Sequence, residues 1–427
     1  MLDIKWIREN VDEIKAAARK KHIDAESYID QAIATDARRR EITHEVEQLK
    51  ADQNRIGKEI AQLQGDDKKT RIAEMKQVAD RVKDLDGDLS TIEDELHEHL
   101  LRIPNICAPE VPEGATDADN VEMRTVGEKP QFDFEWKDHL TLGEELDLID
   151  IPRAAKLAGS RTYILKNGAA LLELAVLRFA LDHLMSKGFE PMIVPTLVRR
   201  KAMEGTAYFP GGEDQAYTCE KDELFLVGTS EVPVTSYHCD EILQEEDLPR
   251  MYAGISTCYR REAGAAGRDT KGLYRIHQFN KVEQVIVTRN DEEESKRQHA
   301  FILQNSEEIL QAFELPYRVV NVCGGDLGAG QVQKYDVEAW MPSRESYGET
   351  HSASRFHEFQ ARRLNLRYRD ANKKARFCHT LNNTAIASPR ILISLLEVHQ
   401  QADGRVRIPD ALRPYMGGQE YIEKKSS

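Results

Sequence analysis

A chain of 427 residues with 40% hydrophobic content has room for two or three domains and can bury a large core. Its net charge of −15 argues against a protein that coats nucleic acid with its whole surface, and leaves room for a local basic patch. The six cysteines (Cys107, Cys219, Cys239, Cys258, Cys323 and Cys378) form no CxxC pair and accompany no metal-spaced histidines, so neither zinc nor a disulfide framework is expected. The N-terminal MLDIKWIREN carries acids and lacks the apolar segment of a signal peptide. No apolar run approaches the ~18 residues of a membrane span, so a cytoplasmic chain with no membrane partner is expected.

Residues 1–105 contain no proline before Pro104 and only three glycines, Gly57, Gly65 and Gly87. Ile42, Val46, Leu49, Gln53, Ile56, Ile60 and Leu63 step by four and three, and Val78, Val82, Leu85, Leu89, Ile92 and Leu96 do the same. These are the seams of a coiled coil. With Gly65-Asp66-Asp67 as a turn, the spacing predicts an antiparallel helical hairpin over about 29–64 and 68–102, each arm roughly 50 Å long at ~1.5 Å per residue. Residues 50–83 carry nine basic residues against six acidic ones, Arg55, Lys58, Lys68, Lys69, Arg71 and Lys76 among the basic, so the outer half of the arm can touch a polyanion. An ordinary solvated coiled-coil surface explains the same charges.

Residues 106–131, rich in Pro, Asp and Ala, read as a linker to a globular domain over 132–427. There, 171–187 reads as a helix closed by Gly188 and 189–195 as a strand. Further strands are predicted at 221–227, 251–262, 273–287, 317–322, 334–341 and 356–369. Strands in succession with few helices between them indicate an α+β fold, an antiparallel sheet flanked by helices. Neither GxGxxG nor GxxxxGK[ST] occurs, so no Rossmann fingerprint or P-loop accounts for nucleotide binding.

The stretch CYRREAGAAGRDTKGLYRIHQFNKVEQ, 258–284, reads as two strands around a Gly-rich loop of roughly ten residues. Strand alternation puts Arg260 and Glu262 on one face, and Arg275, Phe279 and Glu283 in another row. Cations, a ring and carboxylates in rows make a poor core. They suit a pocket for something with a phosphate, a ring and an amine, although a solvated hairpin edge would read alike.

Three stretches then carry a family. FEPMIVP (189–195), YRRE with RIHQFNKVE (259–283) and NNTAIASPR (382–390) resemble motifs 1, 2 and 3 of the class II aminoacyl-tRNA synthetases, in order. With GTSE at 228–231 and the helical hairpin in front, the chain resembles seryl-tRNA synthetases of the bacterial type from residue 1 to about 421. The resemblance implies ATP-dependent ligation of L-serine to tRNA(Ser) through a seryl-adenylate, with release of AMP and pyrophosphate. It implies that Arg260 holds the α-phosphate and the serine carboxylate, and that Arg390 holds the γ-phosphate. Phe279 stacks on adenine, Glu262 accepts from its amino group, and Ile276 meets it through the backbone. Glu349 and Ser352, in ETHS, bind Mg²⁺. Thr229 and Glu231 hold the α-amino group of serine, while Glu283 and Thr384 face its hydroxyl. Arg268 and Lys271 meet the acceptor end of the tRNA, the helical arm lies across its long variable arm, and motif 1 makes a homodimer.

The sequence departs from the family pattern at His351, for a serine, and at Asn383 and Pro389, for glycines. The rival readings are a paralogue that has lost activity and acts as an RNA-binding or regulatory protein, and a ligase that charges a carrier protein. The intact motif residues weigh against the first. The hairpin and the absence of zinc-type cysteines weigh against the second.

Overall fold

The computed structural model describes residues 1–264, 267 and 271–424. The chain divides into two units, Met1–Arg19 with Ile23–Pro104, and Lys20–His22 with Asn105–Ser427.

In the first unit, α1 (Glu26–Ile60) and α2 (Gly65–Arg102) run antiparallel, linked across by Glu45–Arg81, Lys50–Asp86 and Glu59–Arg71 ion pairs. Val46, Ile56, Val82, Leu85, Ile92 and Leu96 of the two seams are buried. The reversal falls slightly earlier than expected, over 61–65, with Gly65 at φ +67°, which glycine adopts without steric cost. Asp66 and Asp67 are not turn residues. They occupy the first turn of α2, where carboxylates complement the positive end of the helix dipole. At the base, the short helices Ile4–Glu9 and Val11–Lys20 bring Ile7 and Ile14 against Ile29, Ala32, Leu96, Leu100 and Ile103.

The second unit contains, in chain order, β1 (Val121–Val126), α3 (Asn167–Ser186), β2 (Glu190–Ile193), β3 (Arg250–Tyr259), β4 (Gln278–Thr288) and α4 (Glu292–Ala312). Then follow β5 (Tyr317–Asn321), β6 (Gln333–Met341), β7 (Ser346–His357), α5 (Phe359–Leu364), β8 (His379–Ser388) and α6 (Arg390–Val398). The eight strands form one sheet in the order β1-β5-β6-β7-β8-β4-β3-β2. Every neighbouring pair is antiparallel except β2 with β3, so one edge of the sheet is parallel. Helices α3, α4 and α6 cover one face, where Leu172, Val176, Ile302, Ile309, Ile391 and Leu395 meet Val282, Ile286, Val337, Ala353 and Leu381. At ~1.5–3 kcal/mol for each fully buried aliphatic side chain, this layer holds the helices on the sheet and leaves its other face to carry a site.

Four sequence expectations are corrected. The linker 106–131 contains β1, a short exposed strand of mixed polarity held by backbone pairing with β5. The strand at 356–369 is three elements: the end of β7, the short helix α5, and a strand at Arg367–Arg369. Residues 224–226 belong to a separate small sheet with Leu197–Arg199 and Tyr217–Cys219. The motif 2 strands end at Tyr259 and begin at Gln278, so Arg260, Glu262 and Arg275 lie outside them, and Glu262 has φ +53°.

Candidate active site

The face of the sheet away from α3, α4 and α6 opens into a cleft. Strand alternation selects its lining. On β4, Val282 goes to the core while Phe279, Lys281 and Glu283 line the cleft. Two β-bulges adjust this pattern. In β7, Val337 pairs with His351 and Glu338 with Glu349, so Thr350 is the extra residue. Glu349 and Ser352 are three apart and would face opposite ways on a regular strand. The bulge brings both to the cleft. In β8, Thr384 pairs with Glu283 and Ile386 with Val282. Ala385 and Ile386 therefore both enter the core, while Thr384 before them and Ala387 and Ser388 after them face the cleft.

One half of the cleft is made of guanidinium groups and rings. Arg260 lies over the Phe279 ring at 5.2 Å. Glu262 turns back to pair with Arg275 at 2.7 Å. Arg390, the first residue of α6, donates from Nε to the Tyr274 carbonyl (3.0 Å) and from Nη1 to the Glu349 carbonyl (2.7 Å). Its guanidinium also sits 4.3 Å from the Tyr274 ring and 3.6 Å from the Glu349 carboxylate. The protein around Glu349 works against its charge, but Arg390, Lys334 and Arg260 together hold its carboxyl below the usual value.

The other half is acidic and deep. Lys281, 4% exposed, pairs with Glu283 at 2.5 Å, and its ammonium also reaches Thr384 Oγ1 at 3.4 Å. Thr384 donates in turn to Glu283 Oε2 at 3.2 Å. Glu231 is buried, accepting from Tyr208 Oη at 3.0 Å and from Gln360 Nε2 at 2.8 Å. Burial pushes its carboxyl up to about 7, with the charge of Glu283 acting in the same direction. Burial and Glu231 likewise hold the Tyr208 hydroxyl well above its ordinary range, so it remains a donor.

The arrangement offers two guanidinium forks and a ring at one end and, at the other, carboxylates in a pocket scarcely open to water. Residues 1–107 match the model of the seryl-tRNA synthetase N-terminal domain, and residues 217–399 that of the tRNA synthetase class II core domain (G, H, P, S and T). The chain is 47% identical over 422 residues to the serine–tRNA ligase of Deinococcus radiodurans, with 99% of each chain covered. The chain belongs to the seryl-tRNA synthetase family.

Other members of the family agree. The serine–tRNA ligase of Rubrobacter xylanophilus is 45% identical over 98% of each chain. The crystal structure of seryl-tRNA synthetase from Pyrococcus horikoshii complexed with ATP matches with TM-score 0.93 and 40% identity over 100% of both chains. That of cytoplasmic serine–tRNA ligase from Naegleria fowleri in complex with AMP matches with TM-score 0.88 and 30% identity, covering 100% of this chain and 99% of that one.

Of the residues that the resemblance to this family singled out, Arg260, Glu262, Ile276, Phe279, Glu349, Ser352, Arg390, Glu231, Glu283 and Thr384 line the one cleft. Thr229 does not. It is 1% exposed, and its hydroxyl accepts the Glu231 backbone N–H at 3.1 Å. Lys271 is exposed and outside the cleft lining, and Arg268 lies outside the described residues. Among the arm cations, Arg71 is clamped by Glu59 and Glu74, Arg55 by Asp52 and Lys69 by Asp66. The departures lie behind the cleft. His351 is buried and held neutral, its value pushed down to about 4 by burial. Asn383 ties β8 to Gln284, Ser306 and the Ser352 carbonyl. Pro389 is the residue before α6.

Sequence reasoning missed Tyr208, Tyr274, Lys281 and Gln360. For Lys281 the signal was present, since it lies midway between Phe279 and Glu283 on the same alternating face. Nothing local marks Gln360, which reaches Glu231 from α5.

Proposed function

We infer that the chain joins L-serine to tRNA(Ser) using ATP, forming seryl-adenylate first and releasing pyrophosphate and then AMP. The observation that carries this is the single cleft in which Arg260, Phe279 and Arg390 stand opposite Glu231, Glu283 and Thr384. The first step brings the serine carboxylate onto the α-phosphorus of ATP, two anions meeting in one place. A guanidinium fork at Arg260 can bridge both, reducing their repulsion and fixing the line of attack. Phe279, under that fork, offers its ring to adenine, with Glu262 and the backbone of Ile276 at the base edge. Arg390, braced by two carbonyls, suits the γ-phosphate. Glu231 suits the serine ammonium and, with Glu283 and Thr384, defines a small polar end in which a hydroxyl is satisfied and a bare methyl leaves buried groups unpaired. Thr229 serves this set indirectly, by fixing the backbone of Glu231.

Glu349 and Ser352 would hold the Mg²⁺ that travels with ATP. The fit is good: two hard oxygen donors brought to one side by a bulge, the carboxylate kept ionised by its cationic neighbours. Among the described residues no group of three or more His, Cys, Asp or Glu is arranged to hold a metal, so phosphate oxygens would complete the shell. Bound there, Mg²⁺ supplies positive charge to the phosphate chain.

The helical arm is proposed to lie along the variable arm of the tRNA, with Lys271 and Arg268 near its acceptor end. A homodimer is supported by apolar side chains left in water on α3 and β2: Leu171, Leu174, Met185 and, at 89% exposed, Ile193. A cytoplasmic location is proposed, and among the described residues no helix is long and apolar enough to cross a membrane.

The test is charging of unfractionated bacterial tRNA with labelled serine, with threonine, alanine and cysteine in parallel. Serine incorporation alone is expected, and Arg260→Ala should abolish serine-dependent pyrophosphate exchange while remaining folded. Normal exchange in that variant would overturn the assignment of Arg260.

A further inference from the structure

The Glu231 carboxylate is not held by the cleft residues alone. Gln360, 1% exposed and outside the cleft lining, donates from Nε2 to Glu231 Oε1 at 2.8 Å and toward the Thr206 carbonyl at 3.3 Å. Its other amide atom, Oε1, accepts from the Thr380 hydroxyl at 2.6 Å, and Thr380 is fully buried. The amide therefore has its orientation fixed at both ends. A donor hydroxyl meets its oxygen, while a carbonyl and a carboxylate meet its nitrogen. Were the amide reversed, its oxygen would face the Glu231 carboxylate and the Thr206 carbonyl, two acceptors with nothing to accept from.

We propose that Gln360, oriented by Thr380, is a positioning residue for the amino acid substrate, acting through Glu231 to aim one carboxylate oxygen and keep it available to the substrate ammonium. The proposal rests on the assignment of Glu231 to that ammonium. Three elements converge on the carboxylate: Tyr208 donates to Oε2, α5 supplies Gln360 to Oε1, and β4 presents the charges of Glu283 and Lys281. With Tyr208 and Gln360 both occupied as donors, the remaining lone pairs of Glu231 are left for one cation. Burial already raises the carboxyl toward neutral pH, and the Gln360 amide is among the contacts that hold it down. Loss of the amide leaves Glu231 less well aimed and easier to protonate.

The experiment measures serine and ATP dependence of pyrophosphate exchange from pH 6 to 9 in the full chain and in Gln360→Met, Thr380→Val, Thr380→Ser and Glu231→Gln. Gln360→Met keeps length and loses the donor. It is expected to raise the KM for serine by roughly tenfold to a hundredfold, the loss of one hydrogen bond to a buried charge, with kcat and the KM for ATP within about threefold of the parent. The pH at which the serine KM falls to its plateau should move upward, because the carboxylate binds an ammonium only when ionised. Thr380→Val should show a smaller effect of the same kind, and Thr380→Ser, which keeps the hydroxyl, should restore the parent behaviour. An unchanged serine KM and pH profile in Gln360→Met overturns the proposal. So does a fall in kcat with an equal rise in both KM values, which marks a merely structural role. Should Glu231→Gln itself bind serine normally, the assignment of Glu231 fails and the proposal fails with it. A raised KM in Glu231→Gln with a normal one in Gln360→Met removes only the positioning role.

Discussion

Replacing Lys281 by methionine tests the deep end of the cleft most directly. Lys281 is 4% exposed, and its ammonium is shared between Glu283, 2.5 Å away, and Thr384. Methionine fills most of the volume and removes the charge, so packing changes little while Glu283, 2% exposed, is left beside Glu231 with no cation in contact. Removing one partner of a buried pair costs about 3–5 kcal/mol. At about 2 °C per kcal/mol for a unit of this size, the melting transition of the catalytic unit should fall by about 6–10 °C at pH 8. The loss should shrink toward pH 5, where Glu231, its carboxyl raised to about 7 by burial, is protonated and no longer repels Glu283. Serine KM should rise in parallel, since Glu283 and Thr384 lose the group that fixes their geometry. The assays are thermal unfolding followed by near-UV circular dichroism and serine-dependent pyrophosphate exchange at both pH values. A transition within about 1 °C of the parent at pH 8, with an unchanged serine KM, would refute the view that Lys281 neutralises the pocket floor.

Two further outcomes are expected. Replacing residues 46–80 by a short glycine-rich loop between Glu45 and Arg81, whose side chains pair across the hairpin at 2.9 Å, keeps the apolar base of the helical unit. Pyrophosphate exchange should survive while tRNA charging falls at least tenfold, and unimpaired charging would remove the arm from tRNA binding. Glu292 is opposed by burial yet held down to about 2 by hydrogen bonds from His357 and Arg355, the latter fully buried. A carboxyl depressed in the folded state stabilises fully above its unfolded value of about 4.3 and loses that contribution as pH falls toward 2. The melting temperatures of parent and Glu292→Gln should therefore differ most at pH 6, draw together progressively below about pH 4 and converge only near pH 2, and a constant gap would disprove the linkage.

What the sequence made legible follows from period. The seam residues of α1 and α2 repeat over many turns, so the hairpin was readable, and only the turn shifted, because Asp66 and Asp67 suit a helix start as well as a loop. Helix α5 spans six residues, too few to show a helical period between aromatic neighbours, and was read as strand. Edge strand β1 is only six residues long and follows a stretch rich in Pro, Asp and Ala, so its short alternation is lost in the linker pattern. At the site, motif resemblance pointed to residues that do gather in one cleft, yet the two bulges that aim Glu349, Ser352 and Thr384 leave no trace in composition. Gln360 and Thr380 escaped notice because their contacts are made only when α5 and β8 come together.

The ion pairs along the helical arm set how it can recognise a polyanion. Arg55, Lys69 and Arg71 already answer carboxylates of their own hairpin, whereas Lys58, Lys68, Lys76 and Lys83 are exposed without an ion pair among the described residues. Four such contacts release few counterions. The logarithm of affinity for a polyanion lying on them then falls with the logarithm of salt at a slope of only about −3 to −4. Tripling the ionic strength weakens such a contact by about twentyfold to fiftyfold. The same pairs that tie the two helices together thus blunt the charge of the hairpin, and under the proposed role selection among RNAs would fall to length and contour.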